Sequence, residues 1–224
     1  MGFVYPVTDS SAYEYGLVAT PAGETVPALV DGSTVWVLKV EDGLISLVDI
    51  GSGAMSGTDI SKGVFQRETD YKTWVLDAAE HIAKVAHAGM VDEGGNDYYG
   101  GHVINVAMQV SEATHGDEFA VAVAYLHDVL EHTKVTAHEL EKVMPAEVIE
   151  AVVALTHGEH EDSYRLYLSR VTKNHLAALV KRAEVEDNRD VTRLREVTDK
   201  AAWELLKYDY AARYLDDKLK ETSA

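Results

Sequence analysis

The apolar residues of this chain repeat with one period up to about residue 67 and with another from Tyr71 onward, so two kinds of regular structure must share the molecule. In the first part the runs are short, β-branched and aromatic. Ser33 to Val40 (STVWVLKV) and Leu44 to Ile50 (LISLVDI) flank Glu41-Asp42-Gly43, whose Asp-Gly step suits the positive-φ positions of a tight hairpin. Tyr13 to Ala19 reads as a further strand, with a turn near Pro21 to Glu24. Gly51 to Gly63 has four glycines and no period and reads as a loop. Residues 1–67 are therefore expected to form a small β-rich accessory module.

From Tyr71 the spacing becomes helical: Trp74, Val75, Ala78, Ala79, Ile82, Val85 and Ala86 recur at three- and four-residue steps. A glycine-rich loop from Gly89 to Gly101 precedes a helix from His102 to about Ala113. Glu118 to His132 is expected as one helix, apolar nearly all round in AVAVAYL, as at the centre of a bundle. Thr136 opens a short helix with Glu139 at the capping-box position, and Pro145 suits the first turn of another reaching Leu155. Helices over His160 to Arg170, Asn174 to Asn188 and Thr198 to Lys220 complete the series, the stripe from Trp203 to Tyr214 reading as core packing. The fold class is mainly α, a helical bundle over residues 68–224 behind the β-rich module.

Composition narrows the chemistry. With no cysteine, a metal must be held by imidazole and carboxylate. The formal net charge of −18, from 38 acidic and 20 basic residues, opposes binding of a nucleic acid polymer, which needs a concentrated basic surface. A small phosphorylated ligand remains compatible, because a metal and a few local cations govern the field inside one pocket. No basic-then-apolar leader and no apolar run near the length of a membrane span are visible, so a cytoplasmic protein without membrane contact is expected.

Ten histidines are present, and the segment His127 to Thr133, HDVLEHT, sets the most informative of them. Glu131 follows His127 by four residues and His132 follows Asp128 by four, so the four groups share one broad helical face. Imidazole beside carboxylate suits Mn²⁺, Fe²⁺ or Zn²⁺. By spacing alone the pair is equally a helix-end cap that pairs with solvent or neighbours. His81, His115, His138, His157, His160 and His175 match no metal-ligand spacing and are expected mostly at the surface.

Three ordered blocks carry a resemblance: HAGMVDEGGNDYYGGHVINVA from His87, AVAYLHDVLEHTKVT from Ala122, and LVKRAEVEDN from Leu179. From His87 to Asn188 the chain resembles the HD superfamily of metal-dependent phosphohydrolases, and within it the small alarmone hydrolases of metazoan and bacterial type. The resemblance implies His102, His127 and Asp128 as metal ligands, with Glu184 at the place of the family's fourth ligand, an aspartate, and Mn²⁺ as the ion. It implies Glu131 in positioning the attacking water, with His132 where the family carries a second acid. Lys181 and Asn188 would meet phosphate or ribose, Arg182 would also face the pocket, Tyr98 would stack on a base or anchor its loop, and Tyr164 and Arg165 would lie near the substrate. His87 is expected to be structural. Other departures are Val91 and Asp92 in the stretch where the family has a nucleotide-binding arginine, and Asp97 in place of a proline.

The expected function is metal-dependent hydrolysis of a small phosphorylated nucleotide, with the 3′-pyrophosphate of guanosine tetraphosphate as the specific candidate. Two alternatives remain: a nucleotide-binding protein that has lost catalysis through Glu184 and His132, and an interaction protein that retains the helical scaffold while residues 1–67 act. A homo-oligomer is compatible with the sequence.

Overall fold

The computed structural model of the protein describes residues 5–9, 12–20, 23–32, 34–50, 64–158, 163–193 and 198–222. Among the described residues five antiparallel strands come first: β1 (Tyr13–Ala19), β2 (Thr25–Asp31), β3 (Thr34–Glu41), β4 (Leu44–Asp49) and β5 (Val64–Thr69), in the spatial order β4-β3-β2-β1-β5. The expected hairpin is present. Glu41 pairs with Leu44, and Asp42 and Gly43 turn the chain at φ 51° and 83°. β2 was not anticipated, since Pro27 argues against a central strand. β3 pairs only with Ala28 to Asp31, so Pro27 lies beyond the end of that ladder. The expected loop over Gly51 to Gly63 lies outside the described residues.

Side chains alternate across the sheet. Leu29, Trp36, Leu38, Ile45 and Leu47 face the helices, while Val18, Val26, Ala28, Val30 and Val35 form a separate buried cluster. The first helix, α1 (Tyr71–Ala86), is capped by Asp70, which accepts from Thr73 N at 2.9 Å. Its Trp74, Val75 and Ala78 join the sheet to the bundle, so one apolar cluster runs through both.

After α1 the chain turns through Gly89 and enters a π-helical turn, Tyr99–Val103, continued by α2 (Ile104–Thr114). Asp97 accepts from Gly100 N at 2.6 Å and so fixes the entry to this turn. A Cβ on Gly100 would sit 2.9 Å from Asp97 Oδ2, so a side chain there would push that carboxylate aside. α3 (Glu118–Leu126) is buried along most of its length, as its apolar run implied. The expected single helix to His132 is instead broken at His127-Asp128, beyond which α4 (Val129–His132) starts. α5 (Ala137–Leu140), α6 (Ala146–Leu155), α7 (Tyr164–Val171), α8 (His175–Asn188) and α9 (Asp199–Thr222) follow, with a 3₁₀ turn at Val191–Arg193. α9 packs through Ala211, Ala212 and Leu215. This corrects the expected stripe, because Trp203 is 73% exposed and Leu206 and Tyr210 also face outward. No described helix is long and apolar enough to cross a membrane.

Candidate metal centre

The break between α3 and α4 is what builds the site. α3 ends on an apolar stretch, so the two residues after it, His127 and Asp128, emerge at its buried end, 2% and 8% exposed. The π-helical turn brings His102, 5% exposed, against them. The extra residue of a π turn re-aims side chains within a helix, which fits its frequent presence at functional sites.

The hydrogen bonds fix which ring atoms face inward. His102 Nδ1–H donates to Asp187 Oδ2 at 2.5 Å, and His127 Nδ1–H donates to Ala124 O at 2.7 Å. Both Nε2 atoms therefore turn to the centre, 3.1 Å apart. Asp128 Oδ2 lies 3.1 Å from His127 Nε2 and 3.5 Å from His102 Nε2. Three lone-pair-bearing atoms converge, all within 4.8 Å of one another. Such a cluster is stable only with protons or a cation among its members.

The titration behaviour follows. Burial opposes charge on His102, but hydrogen bonds to Asp128 and Asp187 outweigh it and raise the ring to about 9. Burial likewise opposes charge on His127, and Asp128 raises it nonetheless. Burial pushes Asp128 up, yet the two imidazoles hold it well below the usual carboxylate range. Two nitrogens and one carboxylate oxygen form a donor set that suits a divalent ion of the Mn²⁺, Fe²⁺ or Zn²⁺ kind, so the residues present fit the expected group.

The centre opens into a cavity of about 670 Å³. Tyr98 lines it and donates its hydroxyl to Asp128 Oδ2 at 2.5 Å, so it braces a candidate ligand. Burial and the negative charge of Asp128 push that hydroxyl's pKa up, keeping the proton in place. His87, fully buried, stacks on Tyr98 with ring centroids 5.5 Å apart. Glu131 and His132 stand at the wall: Glu131 Oε2 accepts from His157 N at 3.0 Å, and His132 Nε2 is 3.9 Å from Asp128 Oδ1.

α8 supplies the opposite wall. Lys181, Glu184 and Asn188, at i, i+3 and i+7, share one face and line the cavity. Lys181 Nζ donates to both oxygens of Glu184 at 2.7 and 2.8 Å, and Asn188 Nδ2 adds a bond at 3.3 Å. Burial disfavours the ammonium, but Glu184 raises Lys181 well above the usual value and keeps it charged. Glu184 thus shares the cavity with the three converging donors but is not among the atoms grouped with them. Arg182 does not line the cavity. One residue on from Lys181, it faces α9 and binds Asp216 at 2.6 Å and Glu186 at 2.9 Å. Tyr164 lines the cavity and Arg165 does not.

Sequence reasoning missed Asp187, which shares a stripe with Val180 and Ala183 at i, i+3 and i+7. A carboxylate on a stripe that is otherwise apolar was a legible sign of a buried partner. It also missed Tyr167, Lys200, Lys207 and Tyr208, which line the cavity from α7 and α9, because nothing local marks residues that meet only through tertiary packing.

No family profile and no curated protein sequence matches the chain. Its fold is similar to that of a solved structure, a metazoan orthologue of SpoT described as hydrolysing ppGpp and playing a role in starvation responses. The TM-score is 0.55 at 23% identity, over 70% of this chain and 95% of that one. The chain therefore shares the fold of that structure, a helical domain, here preceded by an antiparallel sheet.

Proposed function

We propose that the chain is a metal-dependent phosphohydrolase acting on a small phosphorylated nucleotide. The observation that carries this reading is the convergence of His102 Nε2, His127 Nε2 and Asp128 Oδ2 at the base of a cavity large enough for a nucleotide. These three residues would hold the ion. A bound divalent ion supplies Lewis acidity, lowering the pKa of a water and neutralising charge on phosphate oxygens.

The chain's own residues divide the remaining work. Glu131, pinned by His157 N, orients a water and accepts its proton at the carboxylate. His132, whose Nε2 is 3.9 Å from Asp128 Oδ1, would share that proton. Lys181 and Asn188 face the cavity and bind phosphate or sugar, while Tyr164, Tyr167 and Tyr208 offer rings to a base. Glu184 would meet the ion only while sharing its oxygens with Lys181 or after turning from it. The solved structure described as hydrolysing ppGpp supports guanosine tetraphosphate as the first substrate to try, with its 3′-pyrophosphate as the leaving group. We assign the hydrolytic domain to residues 68–224 and an accessory part to residues 1–67.

The decisive experiment is release of phosphate or pyrophosphate from a nucleotide panel that includes guanosine tetraphosphate, with Mn²⁺ added and Asp128→Asn run in parallel. Release by the wild type and a fall of at least ~100-fold in the variant are expected. No release from any nucleotide by a protein that binds the ion would instead favour the reading in which catalysis has been lost.

A further inference from the structure

We propose that Asp187 is a positioning residue of the metal centre, fixing the His102 ring so that Nε2 alone is presented to a divalent ion. The inference rests on the metal reading above.

Asp187 is 6% exposed and sits on α8 at a stripe position that its neighbours Val180 and Ala183 give to apolar packing. A buried carboxylate there costs free energy unless a partner recovers it. One such partner is His102, whose Nδ1–H donates to Asp187 Oδ2 at 2.5 Å. Nδ1 and Nε2 lie on different edges of the imidazole, so the carboxylate that holds Nδ1 is not itself a donor to an ion at Nε2. Its part is to set the tautomer, aim the ring and increase the basicity of the ligating nitrogen.

The second imidazole shows what is particular here. His127 Nδ1–H is held by a neutral main-chain carbonyl, that of Ala124, which fixes the ring without adding charge. His102 is held by a side chain that brings a negative charge to the edge of the centre. Meanwhile Glu184, at the place the resemblance gives to a fourth ligand, has both oxygens engaged by Lys181. Part of the negative charge that a fourth carboxylate would bring directly thus enters through His102. The donor set and its support both come from buried side chains on separate elements: the π turn, the end of α3, and α8.

The test is calorimetric titration of Co²⁺ and Mn²⁺ into the chelator-stripped full chain, for the wild type, Asp187→Ala, Asp187→Asn and His102→Ala. Asp187→Ala is expected to bind about 10–100-fold more weakly. Asp187→Asn keeps an acceptor for Nδ1–H but drops the charge, and is expected to fall between. The visible absorption of bound Co²⁺ should shift in Asp187→Ala as the ring reorients, which a side chain that merely joins α8 to the π turn would not cause. Binding by folded Asp187→Ala within twofold of wild type, while His102→Ala is impaired, overturns the role of Asp187 alone. Equal binding by wild type and His102→Ala overturns the metal reading itself. Should Asp187→Ala fail to fold, the near-isosteric Asn variant decides, and wild-type affinity with an unshifted Co²⁺ spectrum overturns the proposal.

Discussion

Lys181 and Glu184 are both buried to about nine tenths at the side chain, and each is the charge that makes the other tolerable there. Removing one partner leaves an uncompensated buried ion. Glu184→Gln is therefore expected to lower stability by about 3 kcal/mol in urea unfolding, and a second change, Lys181→Met, to restore most of it. A loss below ~1 kcal/mol would show that cavity water solvates Lys181 and that something else holds Glu184. Glu131 presents the opposite case, since its carboxylate lines the cavity wall and accepts one main-chain N–H. Glu131→Gln keeps that acceptor and removes the proposed base, so kcat should fall by ~10²–10⁴ while the unfolding midpoint stays in place. An unchanged kcat would remove Glu131 from the chemistry. His102, His127 and Asp128 were legible in the sequence because a local run and three ordered blocks mark them. The engagement of Glu184 by Lys181 was not, although the two are three residues apart, because the same spacing also permits a ligand turned toward the ion.

At the scale of elements, the β3–β4 hairpin braces the segment that follows α4. Ile45 N donates to Glu139 Oε2 at 2.7 Å, Lys142 Nζ donates to Ile45 O at 3.2 Å, and Val7 N donates to Lys142 O at 2.8 Å. The sequence marked Glu139 as a capping-box residue, and Thr136 does cap α5. The Glu139 side chain, however, reaches across to the sheet, because an unpaired strand N–H in a buried setting is a more demanding partner than a helix end open to solvent. Burial opposes the Glu139 charge, but the Ile45 N–H and Lys142 outweigh it and hold the carboxyl below its ordinary 4.5. Since the folded value is depressed, the stabilisation is present above about pH 4.5 and is lost as pH falls through the lower folded value. Wild type should thus exceed Glu139→Gln in stability at pH 7, and the gap in urea midpoints should narrow as pH falls below 4.5. A gap that persists at low pH would show that shape, not charge, joins the hairpin to α5. The hairpin itself was legible from Asp42-Gly43, whereas β2 was hidden by Pro27 and the α3–α4 break by an uninterrupted helical pattern.

For the whole molecule, the period expected to change after residue 67 does so two residues later, since β5 runs to Thr69 before α1 begins at Tyr71, and it did not show that Trp74 would fuse the two parts into one apolar cluster. Tertiary burial of that kind leaves no periodic trace. Charge acts at the same scale. With a net charge of −18, the protein repels an approaching nucleotide at distances where individual cavity groups do not yet matter. Near the centre the described lysines on the wall are each matched, Lys181 by Glu184, Lys200 by Glu93 and Lys207 by Glu204, so they add little long-range attraction. Added salt shortens the Debye length from about 30 Å at 0.01 M to about 10 Å at 0.1 M and screens the repulsion before it screens contacts within the cavity. With the ion held at saturation, kcat/KM for an anionic nucleotide should therefore rise over that range, by up to about tenfold, with kcat nearly constant. This is the reverse of the behaviour of an enzyme that steers phosphates with a basic surface. A fall in kcat/KM with added salt would show that local cations near the cavity mouth overcome the net charge, and would place substrate capture in the field of those groups.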